Sequence, residues 1–466
     1  MKSLGRRAGM AGALIASSAL VLAGCSTSEE PASTTSDSGS AEAAPAGPVT
    51  VKVAIDAGLE PEARDAFDER VDQFEADRPD VTIEAQEYTW TGTTFAAELA
   101  GGTLPDVFTV PYTDGRGLIE REQIADIHEL VNELPYADQF NPNVAQAGQD
   151  ADGNMWAIPI AAYGQGLHYN RTLFEEAGLD PDSPPTSWDE VREYADTIAE
   201  ATGEAGYAQM TSSNTGGWIL TTLAYAMGGR TESADTTMPT LDDPAVKEAL
   251  EYLQDLRWED DSMGANFLYD WGTINQDFAA GRIGMYVSGG GNYGNLVTQN
   301  AMVPDDYGLT VLPLEGEDPG VLGGGTLAVV NPKADEATQA ASVAWIDFYY
   351  MAKLADEEQA KANAEVAASL DQPVGAPELP VFDRELYDQS REWIADYINV
   401  PVEQMAPYTD AIFDQQLVGE PKTATQEVYA MLDSVVQSVL TDEAADIDAL
   451  LADAQTQAEG IYASAE

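Results

Sequence analysis

The stretch Asp152-Gly153-Asn154-Met155-Trp156-Ala157-Ile158-Pro159-Ile160-Ala161-Ala162-Tyr163-Gly164-Gln165-Gly166-Leu167-His168-Tyr169-Asn170 holds two strand-like segments around a flexible Gly164-Gln165-Gly166 centre. Upstream, Val49, Val51, Val53 and Ile55 alternate with small or polar residues and predict a strand with one buried face. Ala63, Phe67, Val71 and Phe74 then recur at helical spacing after Pro61, and the run closes near Arg78-Pro79. Alternation returns at Val81, Ile83 and Ala85, a second apolar helical face begins at Phe95, and a short apolar run covers residues 107–110. Strand, helix, strand, helix, strand is the pattern of an α/β layer with right-handed crossovers. Downstream, Ser187 with Glu190 predicts a capping box, and Asp243-Pro244 predicts an N-cap and N1 pair ahead of Val246, Leu250, Leu253 and Leu256.

The motifs fall in a definite order. Leu104-Pro105-Asp106-Val107-Phe108 comes first. The opening stretch follows, and after it come Leu173-Phe174-Glu175-Glu176-Ala177-Gly178-Leu179 and Pro184-Pro185-Thr186-Ser187-Trp188-Asp189-Glu190. Phe278-Ala279-Ala280-Gly281-Arg282-Ile283-Gly284-Met285 and Tyr307-Gly308-Leu309-Thr310-Val311-Leu312-Pro313 complete the series. Together they resemble the family 1 extracellular solute-binding proteins of carbohydrate ABC importers, the group that includes maltose-binding proteins. That resemblance implies a two-lobe, type II periplasmic-binding-protein-like α/β fold, whose lobes are joined by hinge crossings and close on a ligand in the cleft between them. The stretch 158–169 is then one crossing. Residues 49–160 with about 310–370 form one lobe, and residues 161–309 with about 371–466 form the other.

Composition narrows the function. Of 466 residues, 21 are Lys or Arg and 81 are Asp or Glu, a formal charge of -60 that repels nucleic-acid phosphates and anionic headgroups. One cysteine and two histidines exclude a disulfide framework, a Cys-rich zinc site and a multi-histidine metal centre. With only seven lysines, so acidic a surface repels itself unless counter-ions screen it. That composition fits a salt-rich habitat, or an acidic extracellular protein whose composition has drifted.

The single cysteine is Cys25. Basic Lys2, Arg6 and Arg7 precede an apolar run over residues 8–22 that is short and rich in small residues, which is the order of an export signal. Leu22-Ala23-Gly24-Cys25 resembles the lipobox of bacterial lipoproteins and implies acylation of Cys25 after loss of residues 1–24. The alternative is a fortuitous cysteine after an ordinary signal. Residues 26–48 contain no large apolar side chain and are expected to form a tether reaching roughly 25 to 30 Å. The folded part is then held at the outer face of the cell membrane.

A pyranose presents an apolar face and a rim of hydroxyls, so a sugar site needs open aromatic rings beside carboxylates or amides. Trp90, Tyr112 with Asp114, Trp218, Trp271, and Tyr293 with Asn292 all lie in Gly-, Thr- or Asn-rich segments expected to be loops. Glu60 and Gly324 extend the set, the latter because Gly323-Gly324-Gly325 either lets a ligand approach the backbone or makes a plain turn. Under the resemblance, Asp114 falls at a sugar-hydroxyl acceptor position and Trp218 at a stacking aromatic. Tyr163 falls where a sugar-contacting glutamate stands, and Gly291 replaces a stacking tryptophan, leaving Tyr293 nearby. His128 and His168 are expected to be packing or surface residues.

No catalytic residue, metal site or cofactor is expected. Gly289, Gly291 and Gly294 match a G-x-G-x-x-G spelling, but no βαβ unit with a ribose-binding acid follows. Paired acids are uninformative among so many, and no nucleophile elbow, Walker loop or HExxH run is present. The expected function is capture of a sugar or oligosaccharide for a membrane permease by a monomeric protein. A carrier for a cationic solute such as a polyamine, and a secreted carbohydrate-active enzyme, stay open as alternatives.

Overall fold

Among the described residues, nine strands lie in one sheet: β1 (Val49–Ile55), β2 (Val81–Glu87), β3 (Val107–Pro111), β4 (Ile158–Asn170), β5 (Ala205–Ala208), β6 (Ile283–Gly289), β7 (Tyr307–Val311), β8 (Val321–Val330) and β9 (Leu417–Gly419). They are linked in the order β2-β1-β3-β8-β4-β6-β5, with β7 on β4 and β9 on β8. This computed structural model describes residues 48–59 and 61–465; the export signal, Cys25, the tether and Glu60 lie outside them. No helix among the described residues is long and apolar enough to cross a membrane.

β4 changes partner midway. Its first half pairs antiparallel with β8, from Ile158↔Ala328 to Gly164↔Gly323, with a register shift at Pro159, which has no N–H to give to the ladder. Its second half pairs with β6 from Gln165↔Gly289 to Tyr169↔Met285, and with β7 from Gly166↔Val311 to Asn170↔Tyr307. One strand therefore joins two α/β halves, the arrangement of a two-lobe type II binding-protein fold. The glycines at the switch serve close packing. A Cβ on Gly166 would stand 3.0 Å from Leu309 and 3.1 Å from Tyr408. The sequence reads Gly164-Gln165-Gly166 as a flexible spacer, whereas the structure runs it through as extended strand against Tyr408 and Ile412.

Each half has its own core. In the first, alternation along β1 buries Val51, Val53 and Ile55 and leaves Lys52 outside. Phe67 and Phe74, seven residues apart on helix Pro61–Asp77, both pack edge-on to Trp345. In the second, helix Trp188–Thr202 covers parallel β5 and β6, while helices Thr215–Ala226, Pro244–Trp258 and Thr425–Thr441 pack on one another and the first of these three also packs on β8. Ser187 caps as its spacing predicts, accepting from Glu190 N at 3.1 Å, but the Glu190 carboxylate reaches back to Thr186 N rather than closing on Ser187. Asp243 accepts from Ala245 N with Pro244 at the first helical position.

Candidate functional site

The aromatics expected in loops mostly open helices. Tyr112 begins Tyr112–Glu120, Trp218 lies in the first turn of Thr215–Ala226, Trp271 begins Trp271–Ala279 and Tyr293 begins Tyr293–Asn300. Glycine-rich spelling concealed these starts because the glycines are steric. A Cβ on Gly217 would stand 2.5 Å from the Tyr429 backbone, and one on Gly216 2.7 Å from Asp433. Likewise Gly323-Gly324-Gly325 is no turn, since β8 passes straight through it. A Cβ at Gly324 would meet the Tyr163 ring, and one at Gly325 the Tyr112 ring.

Three candidate positions converge with a residue the sequence did not single out. The Tyr163 hydroxyl donates to Glu420 Oε1 at 2.8 Å, and the Tyr163 ring lies over Gly324. The Trp218 indole faces the same carboxylate, yet its buried Nε1 has no well-formed hydrogen bond. Tyr163, Trp218 and Glu420 are all half-buried, so the group is sheltered but reachable. Burial pushes the Glu420 carboxyl above its ordinary range, and the Tyr163 and Trp218 donors offset only part of that. Glu420 follows β9, whose partner is β8, and nothing in Gly419-Glu420-Pro421 separates it from 80 other acids.

A second pairing forms beside β3. The Trp90 indole faces the Asp114 carboxylate, which sits in the first turn of Tyr112–Glu120, where a negative charge suits the helix dipole. Burial raises the Asp114 carboxyl, while Trp90, Thr113 and Arg121 act to lower it. Trp90 also lies parallel to Phe108 at 6.4 Å and packs on Phe95. Tyr112 is buried with its hydroxyl unpartnered. No hydrogen bond or ring contact joins this pair to the Glu420 group among the described residues.

The remaining candidates lie elsewhere. Tyr293 is 1 % exposed and packs edge-on to Tyr307 at 5.1 Å. Asn292 is buried and donates to Asn275 at 2.8 Å and to the Tyr286 hydroxyl at 2.9 Å. Trp271 is 39 % exposed at the surface, near exposed Leu268. His168 is fully buried and His128 lies half-exposed beside Asp126. Among the described residues, no group of three or more His, Cys, Asp or Glu could hold a metal ion.

A pocket of about 490 Å³, ample for a small molecule, adjoins the same crossing strand. Ile160, Ala161 and Ala162 of β4 form one wall, Gly291 and Gly294 after β6 a second, and the segment from Lys353 to Ile394 the rest.

The chain is similar to known proteins in sequence and in fold. The family model described as bacterial extracellular solute-binding protein matches residues 57–356. A relative in Salmonella typhimurium, the sn-glycerol-3-phosphate-binding periplasmic protein UgpB, is 24 % identical over 300 residues, covering 61 % of this chain and 66 % of that protein. The chain thus matches about two thirds of that relative's length. Among solved structures, the cyclic alpha-maltosyl-1,6-maltose binding protein from Arthrobacter globiformis is 25 % identical with a TM-score of 0.66, covering 90 % of this chain and 100 % of that one. The sugar-binding protein MalE from Xanthomonas citri shares the fold at 16 % identity with a TM-score of 0.67, over 89 % and 98 % of the two chains. With its family model matched over more than half its length and two halves joined through β4, the chain belongs to the bacterial extracellular solute-binding proteins.

Proposed function

We propose that the protein is the extracytoplasmic binding component of an ABC importer, which captures a sugar or oligosaccharide between its lobes and delivers it unaltered to a membrane permease. The observation that supports this most is the meeting of Tyr163, Trp218 and Glu420 at the crossing strands. Two rings and a carboxylate, all half-buried, offer a face and a hydroxyl acceptor together. Asp114 with Trp90 supplies a second such pair, and Gly324 gives the Tyr163 ring its place. Asn292 and Tyr293 hold the segment after β6, and acylated Cys25 anchors the chain. The fold of the A. globiformis cyclic-maltosyl-maltose binder and the family match point the same way.

Titration calorimetry with neutral mono- and oligosaccharides tests the reading. Binding that weakens at least about tenfold in Trp218→Ala, with the oligosaccharide recovered intact, is the expected result. Thermal stabilisation by polyamines alone, or turnover of the bound glycan, would overturn it.

A further inference from the structure

The pocket beside β4 carries charges of both signs that the chain leaves unmatched. Lys353, on helix Ala352–Ala355, Arg391, on helix Arg384–Trp393, and Glu378, between them in sequence, all line it. Although acids outnumber bases by 81 to 21, none of the three forms an ion pair among the described residues. Arg391 is held by other groups instead. Its Nη2 donates to Gly375 O, and its guanidinium lies 5.8 Å from the Tyr387 ring centroid. Gly375 has φ +93°, and a Cβ there would stand 2.8 Å from Nη2, so glycine makes room for the guanidinium. The remaining N–H groups of Arg391 have no protein acceptor among the described residues. Glu378 faces the open volume while protein surrounds it, and the two bases act on its carboxyl through space only. Much of the rest of the lining is apolar, Leu379, Phe382 and Ile394 included. Tyr163, which follows Ala162 in β4, turns to Glu420 and is not among these walls, so the pocket lies behind the crossing strand from the Tyr163 and Glu420 pair.

These charges select among ligands. A neutral sugar would leave all three unmatched, a simple anion would lie beside the Glu378 carboxylate, and a simple cation would lie beside two bases. A ligand with both signs matches a base and the acid at once. We infer that this pocket is a second ligand site, separate from the sugar site, for an α-amino acid with an apolar side chain. Its carboxylate would meet the Arg391 fork, its ammonium Glu378, and its side chain the wall of Leu379, Phe382 and Ile394. A volume of about 490 Å³ admits leucine or phenylalanine. The inference stands apart from the sugar-binding reading.

Calorimetry at physiological salt compares L-leucine and L-phenylalanine with 4-methylpentanoate and 3-methylbutylamine, which keep the leucine body with one charge each. At least one amino acid is expected to bind about tenfold or more tighter than both single-charge analogues. Arg391→Gln and Glu378→Gln should each abolish that preference while leaving neutral-sugar affinity unchanged, whereas Trp218→Ala weakens sugar binding alone. Because Arg391 also packs on Gly375, Glu378→Gln, at an exposed side chain, guards against a folding defect. The inference falls if neither amino acid binds, if either single-charge analogue binds as tightly, or if the preference survives both variants. Displacement of the bound amino acid by a neutral sugar also overturns it, because the pocket would then be part of the sugar site. Sugar binding is read separately in each case, so its loss or survival decides the broader reading on its own.

Discussion

The Tyr163 hydroxyl and the Glu420 carboxylate meet at 2.8 Å across 257 positions of sequence. Tyr163 belongs to the strand that passes between the two halves, and Glu420 follows β9, which is tied to the other long strand, β8. A ligand held by this pair would therefore lie beside both long strands. Closing the halves on a ligand requires contacts that differ between open and closed states.

Replacing Glu420→Gln keeps the volume and removes the charge, and it should weaken sugar binding about tenfold or more, while Tyr163→Phe has a smaller effect. The pH dependence has a definite sign. Burial raises the folded-state carboxyl above 4.5, so folding favours the protonated acid. That contribution is complete below the unfolded value and is lost as pH rises through the folded one. The acceptor carboxylate is correspondingly lost, on acidification, at a higher pH than for an exposed glutamate. Calorimetric titrations from pH 7 to 4.5 should show affinity falling in the wild type and a flatter profile in Glu420→Gln. Parallel profiles would remove Glu420 from the site.

Asp433 positions Trp218 from a distance. Its carboxylate, on helix Thr425–Thr441, accepts from Asn214 N at 2.8 Å and Gly217 N at 3.0 Å, and so caps the helix whose first turn bears the indole. Asn214 has φ +68° and makes no side-chain cap of its own, so the external carboxylate is the cap. Asp433→Ala should cost about 1–3 kcal/mol in urea unfolding by leaving these donors without their acceptor. It should also weaken sugar binding, and Asp433→Asn, which keeps one oxygen, should restore part of both. Unchanged affinity in a destabilised Asp433→Ala would limit Asp433 to a structural role.

The strand alternation of β1, the Phe67 and Phe74 spacing and the Asp243-Pro244 start were all legible because each depends on neighbours within a few residues. The glycine clusters misled for the opposite reason. Gly217, Gly324 and Gly325 are required by Tyr429, Tyr163 and Tyr112, which lie far away in sequence, so the same letters that spell a loop here mark close approach in a helix and a strand. Tyr163 came from a resemblance tied to neighbouring motifs, and Trp218 from its polar, glycine-rich surroundings together with that resemblance. Glu420 has no local pattern; only the register of β9 on β8 brings it to Tyr163.

The two histidines should titrate in opposite directions. His168 is buried; its Nδ1 accepts from the Tyr307 hydroxyl at 2.8 Å, and its Nε2–H donates to Gly289 O at 3.1 Å, an arrangement that suits the neutral ring. Burial depresses it to about 4. His128 hydrogen-bonds Asp126 at 2.7 Å and is raised. In proton NMR, one imidazole should protonate above pH 6.5 and the other stay neutral down to pH 5. Because His168 protonates more readily unfolded, its contribution is complete above 6.5 and declines as pH falls toward 4, by about 3 kcal/mol in all. Denaturation midpoints between pH 6.5 and 5, where most carboxylates remain ionised, should fall in the wild type and less in His168→Gln. Two ordinary titrations near pH 6.5 would contradict the buried placement.

Salt should stabilise the fold, and Arg192 shows why. Its guanidinium binds Asp255 at 2.6 Å and Glu259 at 3.1 Å and also pairs with Asp260, so one base is shared among three acids of the helix end Pro244–Trp258 and the turn after it. A chain at -60 has few such bases to spare, and its unpaired acids repel one another through solvent. Raising salt from 0.1 to 1 M shortens the screening length from about 10 to about 3 Å, which weakens long-range repulsion more than a partly buried contact. The melting temperature should therefore climb with sodium chloride. Arg192→Gln leaves three clustered carboxylates without their counter-charge, so its loss of melting temperature should be several degrees at low salt and clearly smaller at 1 M. A wild-type melting temperature flat in salt, with an Arg192→Gln deficit equally flat, would mean that packing rather than screened repulsion sets the stability of this acidic surface.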